Sequence, residues 1–120
     1  MNDISMGTLE SQFANIIWSN EPISSTELSK LSEKEIGWKK TTSYTVLKRL
    51  CEKGIFQNVK GQVSSLISKD EFYSMQTEKF VEETFDGSLP AFLAAFSSRK
   101  KLSESEVNQL KRMINEFEEE

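Results

Sequence analysis

Apolar residues in the first half of the chain recur at helical intervals separated by polar punctuation. Leu9, Phe13, Ile16 and Ile17 predict a helix over about 8–19, with Thr8 as its cap and the segment from Asn20 to Pro22 as its stop. Ser24-x-x-Glu27 is a capping box, and Ile23 and Leu28 stand at the two positions of a hydrophobic staple. A second helix therefore starts there, buries Leu28 and Leu31, and ends near Gly37, which can take the left-handed conformation after a last turn. A third is predicted over about 40–53, with Val46, Leu47 and Leu50 on its inner side and Gly54 as its terminator.

The period then changes from helical to extended. IFQNV and VSSLI are rich in β-branched residues and flank Lys60-Gly61-Gln62, which reads as a hairpin with Gly61 supplying the turn's unusual backbone angle. After residue 68 helical signals return. Ser68-x-x-Glu71 opens a helix carrying Phe72, Met75 and Phe80 that stops at Gly87, and Ser88 caps a short one carrying Leu89, Phe92, Leu93 and Phe96. Ser103-x-x-Glu106 leads a last helix with Val107, Leu110, Ile114 and Phe117. The expected organisation is mainly α with one small β-hairpin, divided at 1–68 and 69–120.

The second segment carries more large apolar side chain than about 50 residues can bury against themselves. Two outcomes satisfy it: the helices fold back over the first domain, or they pack on a second copy of the chain. Phe80, Phe85, Leu89, Phe92, Leu93, Phe96, Val107, Leu110, Ile114 and Phe117 are the residues concerned.

Composition narrows the chemistry. The chain has 120 residues and no histidine, which excludes imidazole-based triads and His-ligated metals, and its single cysteine, Cys51, excludes an internal disulfide and a thiolate cluster. The five glycines stand apart, so no Gly-rich phosphate loop is present. No enzyme activity, metal or cofactor is expected. No apolar run is long enough to span a membrane, and the first residues, MNDIS, lack the features of a signal peptide, so a cytoplasmic protein without membrane insertion is expected.

The net charge of −4 is unevenly distributed. Residues 1–70 hold nine Lys/Arg and eight Asp/Glu, a net of +1, and residues 71–120 hold six and eleven, a net of −5. Within 37–61, six basic residues (Lys39, Lys40, Lys48, Arg49, Lys53 and Lys60) face one acid, Glu52. A local excess of this kind is what a phosphate backbone would select, because association follows local counterion release; an ordinary solvated face would look the same. On the third helix, Thr41, Tyr44, Thr45 and Lys48 are spaced i, i+3, i+4, i+7 and project together, opposite the apolar side.

Three helices and then a β-hairpin is the winged-helix variety of helix-turn-helix, in which the helix before the hairpin enters the major groove and the wing touches the adjacent backbone. The chain resembles the penicillinase repressor family, the BlaI, MecI and CopY type of bacterial regulators. The resemblance runs through residues 10–18 with Ile16-Ile17-Trp18, Gly37-Trp38, TTSYTVLKRLCEKG at 41–54, Phe85-Asp86-Gly87-Ser88 and Lys101-Leu102-Ser103-x-x-Glu106.

That resemblance implies a homodimeric transcriptional repressor that holds double-stranded operator DNA, an inverted repeat, through residues 1–68 and dimerises through 69–120. Its recognition helix falls on 40–53, with Thr41, Thr42, Tyr44, Thr45 and Lys48 facing DNA. Lys39, Lys40, Lys48, Lys53 and Lys60 are each candidate phosphate contacts, and Arg49 is open between a phosphate contact and a buried structural salt bridge. Cys51, Trp18 and Trp38 read as packing residues rather than a redox sensor or a ligand cage.

Where relatives have a Ser cap after the tryptophan this chain has Lys39, which allows a shifted helix start. The hairpin reads Gln62, Val63, Ser64, Ser65 in place of a basic residue and aromatics, which implies weaker wing contacts. No C-terminal cysteine cluster matches the copper-responsive branch. In the antibiotic-responsive branch a membrane-bound sensor triggers cleavage of the repressor. The matching bond lies between Ala95 and Phe96, with Ala95 where relatives usually have Asn; the helix around it could equally serve only as dimer core. The rival expectation is a protein-interaction adaptor that keeps the winged helix but has lost operator binding, motivated by the reduced wing and the acidic second half.

Overall fold

The computed structural model describes residues 6–118. In chain order the elements are α1 (Thr8–Asn20), β1 (Ile23–Ser24), α2 (Ser25–Ile36), α3 (Lys40–Glu52), β2 (Phe56–Val59), β3 (Gln62–Ser65), α4 (Lys69–Phe85), α5 (Leu89–Arg99) and α6 (Glu104–Glu118). The molecule is mainly helical with one small antiparallel sheet, as expected.

Capping chemistry sets most of the helix starts. Ser24 Oγ accepts from the Glu27 amide, Ser68 Oγ from Glu71 and Ser88 Oγ from Ala91, each at 3.1 Å. At α6 the box closes both ways, with the Glu106 amide donating to Ser103 Oγ at 3.1 Å and the Ser103 amide to Glu106 Oε1 at 3.0 Å. The first helix differs from expectation: Gly7, not Thr8, is its N-cap, and no side chain caps it.

Two features of the sheet differ as well. The hairpin turn has two residues, Lys60 (φ 52°) and Gly61 (φ 83°), and Gln62 already pairs with Val59. Two positive φ angles in succession match the sense of strand twist, so the tight loop joins the strands without splaying them. The sheet also has a third strand. Ile23 pairs with Val63 and Ser24 with Gln62, giving the order β1-β3-β2. Two residues are too few to leave a periodic signal, and the staple that Ile23 forms with Leu28 reads in sequence as helical; both residues are indeed buried.

The chain forms two compact units, Met1–Thr77 and Glu78–Glu120. In the first, Phe13, Ile17, Leu28, Leu50, Ile55, Phe56, Val63 and Phe72 are at most 2% exposed and form one core with Val46 and Leu47. Trp38 stacks on Phe13 at 5.1 Å, and Trp18 packs against Phe56, Phe72 and Tyr73 while its Nε1 donates to the Ile67 carbonyl at 3.0 Å. Both tryptophans are structural. Phe72, from the start of α4, thereby completes the first unit.

The second unit is built differently. Phe80, Phe85 and Phe92 meet edge to face with centroids 5.8–6.2 Å apart, yet neither α5 nor α6 has a buried residue.

Candidate nucleic-acid interface

Helix α3 sorts its residues cleanly. Ser43, Val46, Leu47 and Leu50 are buried, whereas Lys39, Lys40, Thr41, Thr42, Thr45 and Lys48 are exposed and Tyr44 is half-buried. The polar stripe read from spacing is therefore one continuous outer face of a helix whose inner face is locked into the core. Lys39 is the N-cap and no side chain caps the helix, but its start is not displaced: Lys40 is the first helical residue. The first-turn amides of α3 consequently lack a side-chain acceptor.

Within that face the side chains differ in freedom. Thr45 Oγ1 donates to the Thr41 carbonyl at 2.8 Å, whereas no such bond engages the hydroxyls of Thr41 and Thr42 among the described residues. Tyr44 leans toward α2: its hydroxyl meets Ser25 Oγ at 3.4 Å, and Lys40 Nζ lies 5.9 Å from its ring centroid. The Ser25 hydroxyl holds the phenol below its ordinary pKa, helped by Thr26 and Lys40.

The six basic residues of 37–61 divide into two sets. Arg49 Nη1 pairs with Glu10 Oε1 at 3.4 Å and Lys53 Nζ with Glu10 Oε2 at 3.8 Å, so a carboxylate from α1 draws both toward the far end of α3. This gives Arg49 an ion pair, but a half-exposed one rather than a buried one. Lys39, Lys40, Lys48 and Lys60 are exposed and have no carboxylate partner among the described residues. Three of these belong to the start and outer face of α3, and Lys60 is at the hairpin tip. A groove of about 360 Å3 between α3 and β2 is lined by Tyr44, Leu47, Lys48, Cys51 and Asn58. Burial pushes the Cys51 thiol up, with help from Glu52, which keeps it protonated and unreactive at neutral pH.

The wing is held at its base by a contact that sequence reading missed. Glu21, just after α1, accepts from the Ser65 amide at 2.9 Å and from Ser65 Oγ at 2.7 Å, and the Ser25 amide donates to the Gly61 carbonyl at 2.8 Å. The hairpin is thus fastened to the helices on both sides, although its own strands carry few groups that could contact a partner.

An uncapped polar helix face beside a lysine-tipped hairpin, on this order of elements, is a winged helix-turn-helix arrangement. The penicillinase repressor family model aligns with residues 6–116. The chain belongs to the penicillinase repressor family. It is 26% identical over 111 residues to the penicillinase repressor of Bacillus licheniformis, covering 89% of this chain and 87% of that one. It is 23% identical over 114 residues to the methicillin resistance regulatory protein MecI of Staphylococcus aureus, covering 92% and 93%. Members of this family are transcriptional repressors rather than enzymes.

In this chain the ten apolar residues expected at a dimer interface all lie in the second unit, and none is buried. Phe80, Leu89, Phe96, Ile114 and Phe117 are 45–68% exposed, and Phe85, Phe92, Leu93, Val107 and Leu110 are half-buried. A groove of about 260 Å3 between α5 and α6 is lined chiefly by Phe92, Leu93, Phe96, Leu102, Leu110 and Met113. The Ala95–Phe96 bond lies inside α5, where the Ala95 carbonyl accepts from Ser98 Oγ and the Phe96 carbonyl from the Lys100 amide. Among the described residues no acidic or cysteine cluster could hold a metal, and no helix is long and apolar enough to cross a membrane.

Proposed function

We propose that the chain is a homodimeric repressor that binds an inverted-repeat operator, with the outer face of α3 in the major groove and Lys60 at the adjacent backbone. The observation that carries this reading is the division of α3: an inner face fixed in the core, and an outer face of Thr41, Thr42, Thr45 and Lys48, preceded by two exposed lysines that have no carboxylate partner among the described residues. Threonine hydroxyls and lysines suit phosphates and base edges, and the open first-turn amides suit phosphate oxygens.

Dimerisation belongs to the second unit. Exposed Phe80, Leu89, Phe96, Ile114 and Phe117 on 43 residues form the kind of apolar surface that a second copy would cover. Pairing makes the second half-site contact effectively intramolecular, so two modest affinities become one useful affinity. Release from DNA through a membrane-bound sensor and a cut between Ala95 and Phe96 extends the same reading: it would sever α6 from the rest, remove part of the dimer's apolar surface and so lower operator occupancy with α3 untouched.

Fluorescence anisotropy of the full chain on DNA from its own promoter region tests the proposal. Specific binding should weaken steeply with salt, with a log–log slope of roughly −7 if four lysines per protomer are engaged in both half-sites. Indifference to that DNA relative to a scrambled duplex, from a folded dimer, would instead favour the interaction adaptor.

A further inference from the structure

Three threonines line the outer face of α3, and they are not equivalent. Thr41 and Thr42, in the first turn, keep their hydroxyl protons available for phosphate or base acceptors. Thr45, one turn further along, has its proton committed to the Thr41 carbonyl at 2.8 Å. A threonine on a helix that bonds back to residue i−4 has its χ1 fixed, and with it the direction of the Cγ2 methyl. Its hydroxyl cannot then donate to the acceptors that guanine, adenine and thymine present in the major groove. Because Thr45 is exposed, with Thr41 and Lys48 one turn away on either side, and its hydroxyl proton is committed, its methyl is the group this position turns to a partner.

Only one group in the major groove of unmodified DNA rewards an apolar contact, the C5 methyl of thymine. We infer that Thr45 is a specificity-determining residue that selects a thymine in each operator half-site through its methyl group, with its hydroxyl serving the helix. This inference rests on the operator reading above and goes beyond it in naming the atom and the base feature it meets. Tyr44 does not compete for the role, since its hydroxyl is turned toward Ser25 on α2.

The test uses the full-length chain and a duplex from its own promoter region in which each thymine in turn is replaced by deoxyuridine, which deletes the methyl and nothing else. For the wild type one substitution in each half-site should weaken binding, by roughly threefold to fivefold for one buried methyl. Thr45→Val, which keeps a methyl at Cγ2 and removes the hydroxyl, should stay sensitive to the same deoxyuridine by the same factor, as expected for a contact worth one methyl. Thr45→Ser, which keeps the hydroxyl and removes the methyl, should lose that factor and become indifferent to deoxyuridine there. The reverse pattern, with Thr45→Ser unaffected and Thr45→Val impaired, would overturn the inference while leaving operator binding intact. So would a wild type that discriminates its promoter from scrambled DNA but senses no single deoxyuridine. A wild type that makes no such discrimination overturns the operator reading itself. Circular dichroism of each variant excludes a folding defect at this exposed position.

Discussion

Glu10 controls how much positive charge α3 can offer. Its carboxylate holds both Arg49 and Lys53, which are 39 and 43 positions away in sequence. Glu10→Gln should therefore raise affinity for any DNA duplex and steepen its salt dependence, while costing on the order of 1 kcal/mol of stability, since the Glu10 and Lys53 side chains are only 22% and 23% exposed and solvent screens the pair in part. Anisotropy titrations at several salt concentrations and a urea melt check both. Leu50, wholly buried on the opposite side of the same helix, should behave in the opposite way: Leu50→Ala should cost about 2–5 kcal/mol in a urea melt without altering the salt slope of the fraction that remains folded. The inner and outer faces of α3 were legible because a helix repeats within seven residues. The Glu10 pairings were not, since an ion pair between remote residues leaves no local pattern, and a charge count over 37–61 omits an acid that folding brings to its end.

At the scale of elements, the capping signals are local and were readable, and they make a pH prediction. The backbone amide of Ser103, and then its hydroxyl, hold the Glu106 carboxyl below its ordinary value. A lowered folded value stabilises the first turn of α6 above the ordinary carboxylate range, and that contribution disappears as the pH falls through the lowered value. The protection factors of the amides at the start of α6, taken against intrinsic exchange, should fall over that acidic interval in the wild type and stay level in Glu106→Gln. The hairpin turn makes a second. Gly61 has φ +83° and open space where a Cβ would go, so Gly61→Ala meets backbone strain without a clash and should cost about 1–2 kcal/mol in a thermal melt. Sequence placed this glycine in the turn but spread the turn over three residues, because the hairpin register is fixed by cross-strand hydrogen bonds that composition does not encode. The missed strand β1 has the same origin: Ser24 is at once a strand residue and a helix cap, and only the second role has a sequence signature.

For the whole molecule, the placement of Phe72 matters most. It is 2% exposed and packs on Trp18, so a chain cut after Ser68 should melt well below one cut after Thr77. The longer fragment should sediment as a monomer and bind a single half-site weakly, whereas the full chain should sediment as a dimer at tens of micromolar concentration. The amphipathic patterns of α5 and α6 could be read from sequence, but what covers their apolar sides could not, because that is a property of the assembly rather than of one chain. The short β1 also bears on how the family can diverge. Only Glu21 and Pro22 separate α1 from a strand whose two residues are paired with Val63 and Gln62, and Glu21 itself is bonded to Ser65. One inserted residue there would exchange the inward side chain, Ile23, for its outward neighbour and unseat the wing, since a one-residue slip reverses the faces of a strand. The connection between α5 and α6, with exposed Lys100 and Lys101 and no sheet pairing, bears no such constraint. Natural length variation among relatives should therefore collect after residue 99 and be absent between residues 20 and 25, and a scan of single-residue insertions scored by soluble yield would draw the same map.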